Sequence, residues 1–488
     1  MKISLAILSA FAFASITYAA STDQQPKAKC NLWSQFRGPG GSGIADGQHP
    51  PIEIGPDKNV KWKVDAPAGS SSPIVVGDML VMTAFDVGKL YTIAYDRGDG
   101  HELWRAEAPA AQIELFQKNE GSPAAPTSAS DGKRIVSYFG SCGLFCYDLT
   151  GKELWRHELP TVTTVGDFGT GVSPILVDDA VILLRDEMKD PTILALDAAT
   201  GRVKWEKKRQ SRSGFSTPAV WDAPNGKQII AAGYGQMIAY DLTTGDEVWH
   251  VDGMPSVCCA SPVVAADGTL YFAGWSPGDA RDKDFKMPSF DELLAQNDAD
   301  ANHDGILSKE ESQKTMIKDF FENQDQNHDG LLTRDEWEGM LKYISAAKNS
   351  AFALKLGGVG NITETNVLWQ KTTGLPYVAS GIFYRGQYVL VKDGGIVTAY
   401  DAKSGDVLYT KRAAAAGSYY ASPVAADGHI YIASLADGAI TVLKAGADQP
   451  EVVAQNPPLG ERLSATPAIV DDTLYVRTAG HLYAFANP

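Results

Sequence analysis

Positive charge is in short supply: 43 Lys and Arg stand against 59 Asp and Glu, for a net charge of −16. Polyanions are held by clustered Lys and Arg, so nucleic acid and anionic membrane surfaces are excluded as partners. Cysteine is scarcer still, with five in 488 residues. None has Cys-x-x-Cys-His spacing, which excludes a c-type haem. There is no Gly-x-Ser-x-Gly elbow and the eight histidines are scattered, so a hydrolase nucleophile of that kind is absent. Beyond the first 20 residues no apolar run approaches the ~20 residues that a membrane-spanning helix needs.

The one long apolar run lies at the start. Met1-Lys2, apolar residues from Ile3 to Ile16 and the small pair Ala19-Ala20 form a secretory signal peptide with cleavage near Ala19 or Ala20. The chain is therefore expected to be exported to the periplasm or outside of a bacterium and to be soluble there. Cys30 follows Lys-Ala-Lys, without the small apolar residues of a lipoprotein signal, so no lipid anchor is expected. A composition of 44% hydrophobic and 21% charged residues is ordinary for a folded protein, and 47 Gly with 19 Tyr suit many short strands and turns.

One unit recurs. Ala94-x-Asp96…Gly100…Trp104, Ala195-x-Asp197…Gly201…Trp205 and Ala239-x-Asp241…Gly245…Trp249 share the pattern Ala-x-Asp-x-x-x-Gly-x-x-x-Trp. Tyr147-Asp148…Gly151…Trp155 is one residue shorter, and Ala399-x-Asp401…Gly405…Tyr409 carries Tyr in place of Trp. Upstream of each unit lie a small-hydroxyl-Pro step and two apolar runs, as at Ser173-Pro174 and Ser422-Pro423. Each unit reads as about four short strands, the Asp turning the chain through bonds to its own backbone and the Gly supplying positive φ. The tryptophans read as packing residues between neighbouring units. Fourth-strand ends fall at Trp104, Trp155, Trp205, Trp249, Trp369, Tyr409 and Val452-Val453. Ser464 to Ala486 supplies only about three strands, and Asn59 to Val64, with Trp62, is left over. Joining these two pieces completes an eighth blade and leaves no exposed sheet edge.

The expected fold is all-β, an eight-bladed β-propeller closed by N- and C-terminal strands. The repeat resembles that of the PQQ-like β-propeller family, which includes quinoprotein alcohol dehydrogenases and the propeller of the outer-membrane assembly machine. Trp33-x-x-Phe36-Arg37-Gly38-Pro39 also looks like the leader of exported PQQ-like proteins. The chain accordingly divides into a signal peptide (1–20), a leader (21–58), a first set of blades (59–280), an insert (281–350) and the remaining blades (351–488).

The insert explains why Trp369 lies 120 residues after Trp249, far more than separates other neighbouring units, and falls in blade five. It holds 16 acidic and 9 basic residues and two segments that match the twelve-residue EF-hand template. In the first, Asp300, Asn302, Asp304, Ile306 (through its carbonyl), Ser308 and Glu311 occupy the ligand positions. In the second they are Asp325, Asn327, Asp329, Leu331 (carbonyl), Thr333 and Glu336, with Gly305 and Gly330 at the sharp turns. Ca²⁺ is the implied cofactor. Ser289-x-x-Glu292 reads as a capping box, and Trp337, Met340, Leu341 and Ile344 as a one-sided helical stripe. One shared helix is expected between the loops, with Met316, Ile317, Phe320 and Phe321 facing inward and Leu307 paired with Leu332. His303 and His328, at a position that contributes no ligand, should face solvent.

The resemblance implies a functional face formed by second-to-third-strand loops and blade-to-blade connections, which the insert should overhang. Those connections are Gly166-Asp167-Phe168-Gly169, Arg212-Ser-Gly-Phe215, Ser256-Val-Cys258-Cys259, Leu375-Pro-Tyr377, Ser418-Tyr419-Tyr420 and Glu461-Arg462. Cys258, Cys259, Arg212 and Tyr377 are the candidate ligand contacts. Adjacent cysteines can form a vicinal disulfide, and the quinoprotein dehydrogenases carry such a ring against their cofactor; Cys142 and Cys146 flank a hairpin and could form a second bridge. The calcium ligands and catalytic Asp of those dehydrogenases cannot be carried onto this sequence. The expected role is therefore a non-enzymatic binding scaffold whose partner is another exported or envelope protein or a small ligand. The alternatives are a divergent PQQ-dependent dehydrogenase of alcohols or sugars and a dockerin-like recruitment module.

Overall fold

The computed structural model describes residues 32–211, 214–276, 287–318, 321–325 and 329–488; the segment expected to be a signal peptide, Cys30, Arg212, Phe320, Asn327 and His328 lie outside these. Residues from Asn31 onward form one compact unit. Eight sheets, each built on four antiparallel strands, follow one another along the chain. Blade one comprises Ile74–Val76, Met79–Asp86, Lys89–Asp96 and Glu102–Ala108, and blade two runs from Ala129–Ser130 to Glu153–Glu158. Blade three spans Ile175–Val177 to Val203–Lys208 and blade four Ala219–Ala223 to Glu247–Asp252. Blade five holds Val263–Val264, Thr269–Gly274, Ser350–Lys355 and Val367–Lys371. Blades six and seven end on Val407–Arg412 and Val452–Gln455. Blade eight takes Ala468–Val470, Thr473–Arg477 and His481–Ala486 from the C-terminus and its outer strand, Val60–Asp65, from the N-terminus. The eight-bladed ring and its closure are therefore as the repeats imply.

Inner strands such as Ile74–Val76, Val424–Ala426 and Ala468–Val470 are buried throughout while outer strands such as Glu153–Glu158 alternate, so the core lies between blades; the inner strand of blade four, Ala219–Ala223, is mostly half-buried. Each docking Trp belongs to both blades it joins. The indole N–H groups of Trp62, Trp104, Trp155, Trp205 and Trp369 donate to the carbonyls of Arg97, Leu149, Ala198, Leu242 and Ala402 at 2.9–3.1 Å. Each acceptor is the residue after the turn Asp of the next blade. Trp249 departs from this pattern because blade five has no Asp-x-x-x-Gly turn. Its indole donates to Gln228 in its own blade at 2.8 Å, and Gly360–Asn361 from blade five pairs in parallel with its strand.

The leader fills the ring's axis. Leu32–Trp33 pairs antiparallel with the inner strand of blade one, Ser34 accepts from the Ser130 N–H of blade two, and Arg37 Nη2 donates to Gly381 O of blade six at 2.8 Å. Gly43 and Ala45 then bond Ala425 in the inner strand of blade seven, where Ile44 bridges in parallel. The segment thus climbs along blade one, turns, and descends along blade seven. Gly38 makes the turn possible, since it lies at φ 68° and a Cβ there would stand 2.5 Å from the Trp33 ring. Trp33 and Arg37 are fully buried inside this finger.

The insert leaves blade five after Gly274 and returns at Ser350. Its own core contains Phe290, Leu293, Leu307, Ile317, Phe321, Leu332 and Trp337, with Met340 and Leu341 packed against it. Ser289 and Glu292 form the expected capping box, and Leu307 pairs with Leu332. The single shared helix is not formed: Lys309–Ser312 and Phe321–Gln324 are separate short helices. Ser312 Oγ bonds Lys309 O, and Thr315 Oγ1 bonds Ser312 O, both at 2.7 Å; such side-chain bonds compete with helix continuation. Met316 is correspondingly exposed rather than inward-facing.

Candidate functional site

Eight hydroxyl residues link the blades around the axis. Backbone N–H donates to the next blade's side-chain oxygen from Ser72 to Thr127, Thr127 to Ser173, Ser173 to Thr217 and Thr217 to Ser261. The series continues from Ser261 to Ser380, Ser380 to Ser422, Ser422 to Thr466 and Thr466 back to Ser72. All eight bonds measure 2.9–3.1 Å, so the belt is closed. Six of its members, Ser72, Ser173, Thr217, Ser261, Ser422 and Thr466, precede proline. Proline holds the residue before it extended and donates no N–H itself, which leaves the belt residue's own N–H to point sideways at its neighbour.

Above the belt is a cavity of about 360 Å³. Seven belt residues contribute to its lining, Ser261 being the exception, and Phe36 at the tip of the leader finger also reaches it. The connections named from sequence form its walls: Phe168, Phe215, Val257, Cys259, Tyr377 and Tyr420 line it. Phe168 meets Phe215 edge-on with centroids 6.5 Å apart, and Tyr377 meets Trp275 similarly at 5.7 Å. Glu120 is the one charged side chain in the described lining. It arrives on the connection from blade one to blade two, bonds the Tyr420 hydroxyl, and faces Arg462, whose guanidinium lies 5.5 Å from the Tyr420 ring centroid. Burial pushes the Tyr377 hydroxyl and the Cys259 thiol up to about 12. Sequence places Phe36 only in the leader motif and points to neither the belt nor Glu120 as site residues; the repeated small-hydroxyl-Pro step is the available signal for the belt.

The adjacent cysteines part company. Cys259 faces the cavity, whereas Cys258 is fully buried with Sγ 3.3 Å from Gly233 O. Cys258 O accepts from the Phe215 N–H, and its backbone bridges Gly214 in parallel; in such an extended segment successive side chains point to opposite sides. The vicinal bridge is therefore not formed. Nor is the one between Cys142 and Cys146, which sit in separate hydrophobic clusters; among the described residues all four cysteines are thiols. Behind the cavity wall, buried Glu114 accepts from Thr170 N–H at 2.7 Å, and desolvation raises its carboxyl to about 7.

The insert's stems meet at the cavity rim. Ser276, a lining residue, takes Asn349 Oδ1 on its N–H at 2.7 Å, and Lys348 N–H donates to Met254 O. In the first acidic loop Asp300 accepts from the Asp304 and Gly305 N–H groups at 3.1 Å, and Asn302 Nδ2 donates to Asp304 Oδ2 at 2.8 Å. In the second, Asp325 accepts from Asp329 and Gly330 N–H. Glu311 and Glu336 each accept from the backbone and hydroxyl of Ser308 and Thr333. Gly305 and Gly330 take φ 75° and 83°, and His303 is exposed. Among the described residues, Asp96, Asp99 and His101 form the one three-member carboxylate and imidazole group that could face a single ion; it is exposed on a turn of blade one.

Residues 92–273 and 357–487 match the family described as outer membrane protein assembly factor BamB. These segments make up well over half of the chain, which therefore belongs to this family of PQQ-like propellers. Among characterised proteins it is similar to outer membrane protein assembly factor BamB of Burkholderia pseudomallei (strain K96243), 27% identical over 212 residues covering 42% of this chain and 50% of that protein. The chain thus spans about half the length of that relative. In fold it is similar to the crystal structure of BamB from Moraxella catarrhalis, with TM-score 0.53, 14% identity, and 87% and 96% of the two chains covered. It is also similar to a europium-containing methanol dehydrogenase, with TM-score 0.56, 12% identity, and 94% and 99% covered. Among the described residues no helix is long and apolar enough to cross a membrane.

Proposed function

We propose that this chain is an exported, calcium-binding propeller scaffold whose ring presents a ligand- or partner-binding face beside an EF-hand pair. The observation that carries the reading is the ligand order of the two loops, each with carboxylates and an amide at positions 1, 3 and 5 around a positive-φ glycine and a Glu at position 12. Loop pairing through Leu307 and Leu332 and a common core under both loops support it. Membership of the BamB family supports an envelope protein as partner. Calorimetric titration of the full chain with Ca²⁺ is expected to give two sites per chain, with affinity in the ~10⁻⁴ to 10⁻³ M range of extracellular modules. Glu311→Gln and Glu336→Gln should each remove one. A stoichiometry below one, unchanged by either substitution, defeats the reading.

A second reading, a PQQ-dependent dehydrogenase, draws on the fold shared with a methanol dehydrogenase. PQQ carries three carboxylates and needs cationic neighbours with a metal at its reactive carbonyl. The described lining supplies one carboxylate and no Lys, Arg or His, so it does not fit that group. Protein supplied with PQQ and Ca²⁺ is expected to show no dye-linked oxidation of primary alcohols or sugars above a no-protein control; turnover would favour the second reading.

A further inference from the structure

We infer that the axial cavity is a binding site for an uncharged, flat ring compound bearing acceptor oxygens such as carbonyls or ring ethers. The inference deepens the scaffold reading by assigning a ligand class to its face. Three observations converge on it. At about 360 Å³ the space is at the lower end of small-molecule sites. It is shut from below, because Phe36 at the tip of the leader finger stands in the axis and contributes to its lining. Its walls present the faces and edges of Phe168, Phe215, Tyr377 and Tyr420, which favour a planar partner.

The belt fixes the polarity of that partner. Each belt oxygen already accepts one backbone N–H, and among the described residues its own proton goes to no bonded acceptor. The capacity left over at the cavity is thus chiefly that of O–H donors, which match acceptor oxygens. Charge is disfavoured on both signs. An anion would meet no cation in the described lining and would face Glu120. A cation would find that carboxylate already engaged by Tyr420 and faced by Arg462. Desolvation that holds the Cys259 thiol and Tyr377 hydroxyl protonated is the same penalty that a charged ligand would meet.

Coumarin, a neutral planar lactone, and coumarin-3-carboxylate, the same ring with one negative charge, separate these terms. Calorimetry of the full chain is expected to show one coumarin site and at least tenfold weaker binding of the carboxylate. Phe168→Ala removes a half-exposed wall residue outside the belt and should weaken coumarin at least fivefold with an unchanged melting temperature. Val257→Trp, which fills the cavity from the connection between blades four and five, should abolish binding. Equal or tighter binding of the carboxylate, absence of coumarin binding up to its solubility limit, or binding untouched by both substitutions overturns the inference. If two Ca²⁺ ions still bind in that case, the ligand class alone falls and the scaffold reading stands.

Discussion

At Gly201 the backbone sits at φ 69° and an added Cβ would stand 2.6 Å from the Trp155 ring. The glycine of the repeat therefore has two reasons, the turn's handedness and the indole laid against it from the preceding blade. Gly201→Ala should cost about 2–4 kcal/mol, from left-handed strain and overpacking together, measured as a shift in denaturant midpoint; Ala at Gly235, with open space around its Cβ, should show only the strain. The repetition of Asp, Gly and Trp made this contact legible from sequence. Glu114 was not legible, because a single carboxylate in a long connection carries no pattern. Its pKa of about 7 lies above its ordinary 4.5, so between those values the folded state binds more protons than the unfolded one and stability falls as pH rises. Glu114→Gln keeps an acceptor for Thr170 and removes the charge. It should flatten this slope, gaining on the order of 3 kcal/mol at pH 8 and little at pH 4.5, as read from melts across that range; an unchanged slope would show that Glu114 is not the buried titrating group.

The insert is an element with its own core, and its attachment is narrow. Reciprocal bonds between Ser276 and Asn349, with Ser350 Oγ on Gly253 O, clasp its stems, while the two flanking strands stay paired from Thr269 to Gly274. Replacing residues 277–348 by a short Gly-Ser linker should therefore leave the ring folded. Near-UV and far-UV spectra keeping the β signal, with melting within a few degrees of the parent, are the expected result; loss of the β signal would mean that blade five depends on its insert. The acidic loops, the capping box and the Leu307–Leu332 pair were readable because local chemistry fixes each one. The helix expected between the loops is broken where the Ser312 and Thr315 hydroxyls bond backbone carbonyls, a competition that the short spacing of the loops does not reveal. The leader finger was unreadable in structural terms, since its register is set by the inner strands of blades one and seven, which lie far away in sequence.

Counting strands was enough to predict how the whole ring closes, since three strands at one end and one at the other can make a blade only together. The seam is reinforced by Arg477, fully buried between blades eight and one, where it donates to the carbonyls of Ser71, Thr83 and Pro67. Burial lowers its pKa to about 10, so it remains charged at neutral pH and those carbonyls keep a cationic donor. Truncation separates the seam from the finger. A chain beginning at Asn59 loses the finger but keeps Val60–Asp65 against His481–Ala486 and the Trp62 bond to Arg97, whereas one beginning at Ala66 loses the closing strand as well. The second exposes the edge of His481–Ala486 and opens the docking site on blade one, and an unpaired edge invites association with other chains. The Ala66 truncation is therefore expected to melt well below the Asn59 truncation and to scatter light on standing, and a chain ended before Ser464 should behave at least as badly. Identical melting of the Asn59 and Ala66 truncations would place the ring's closure in the finger instead of the eighth blade.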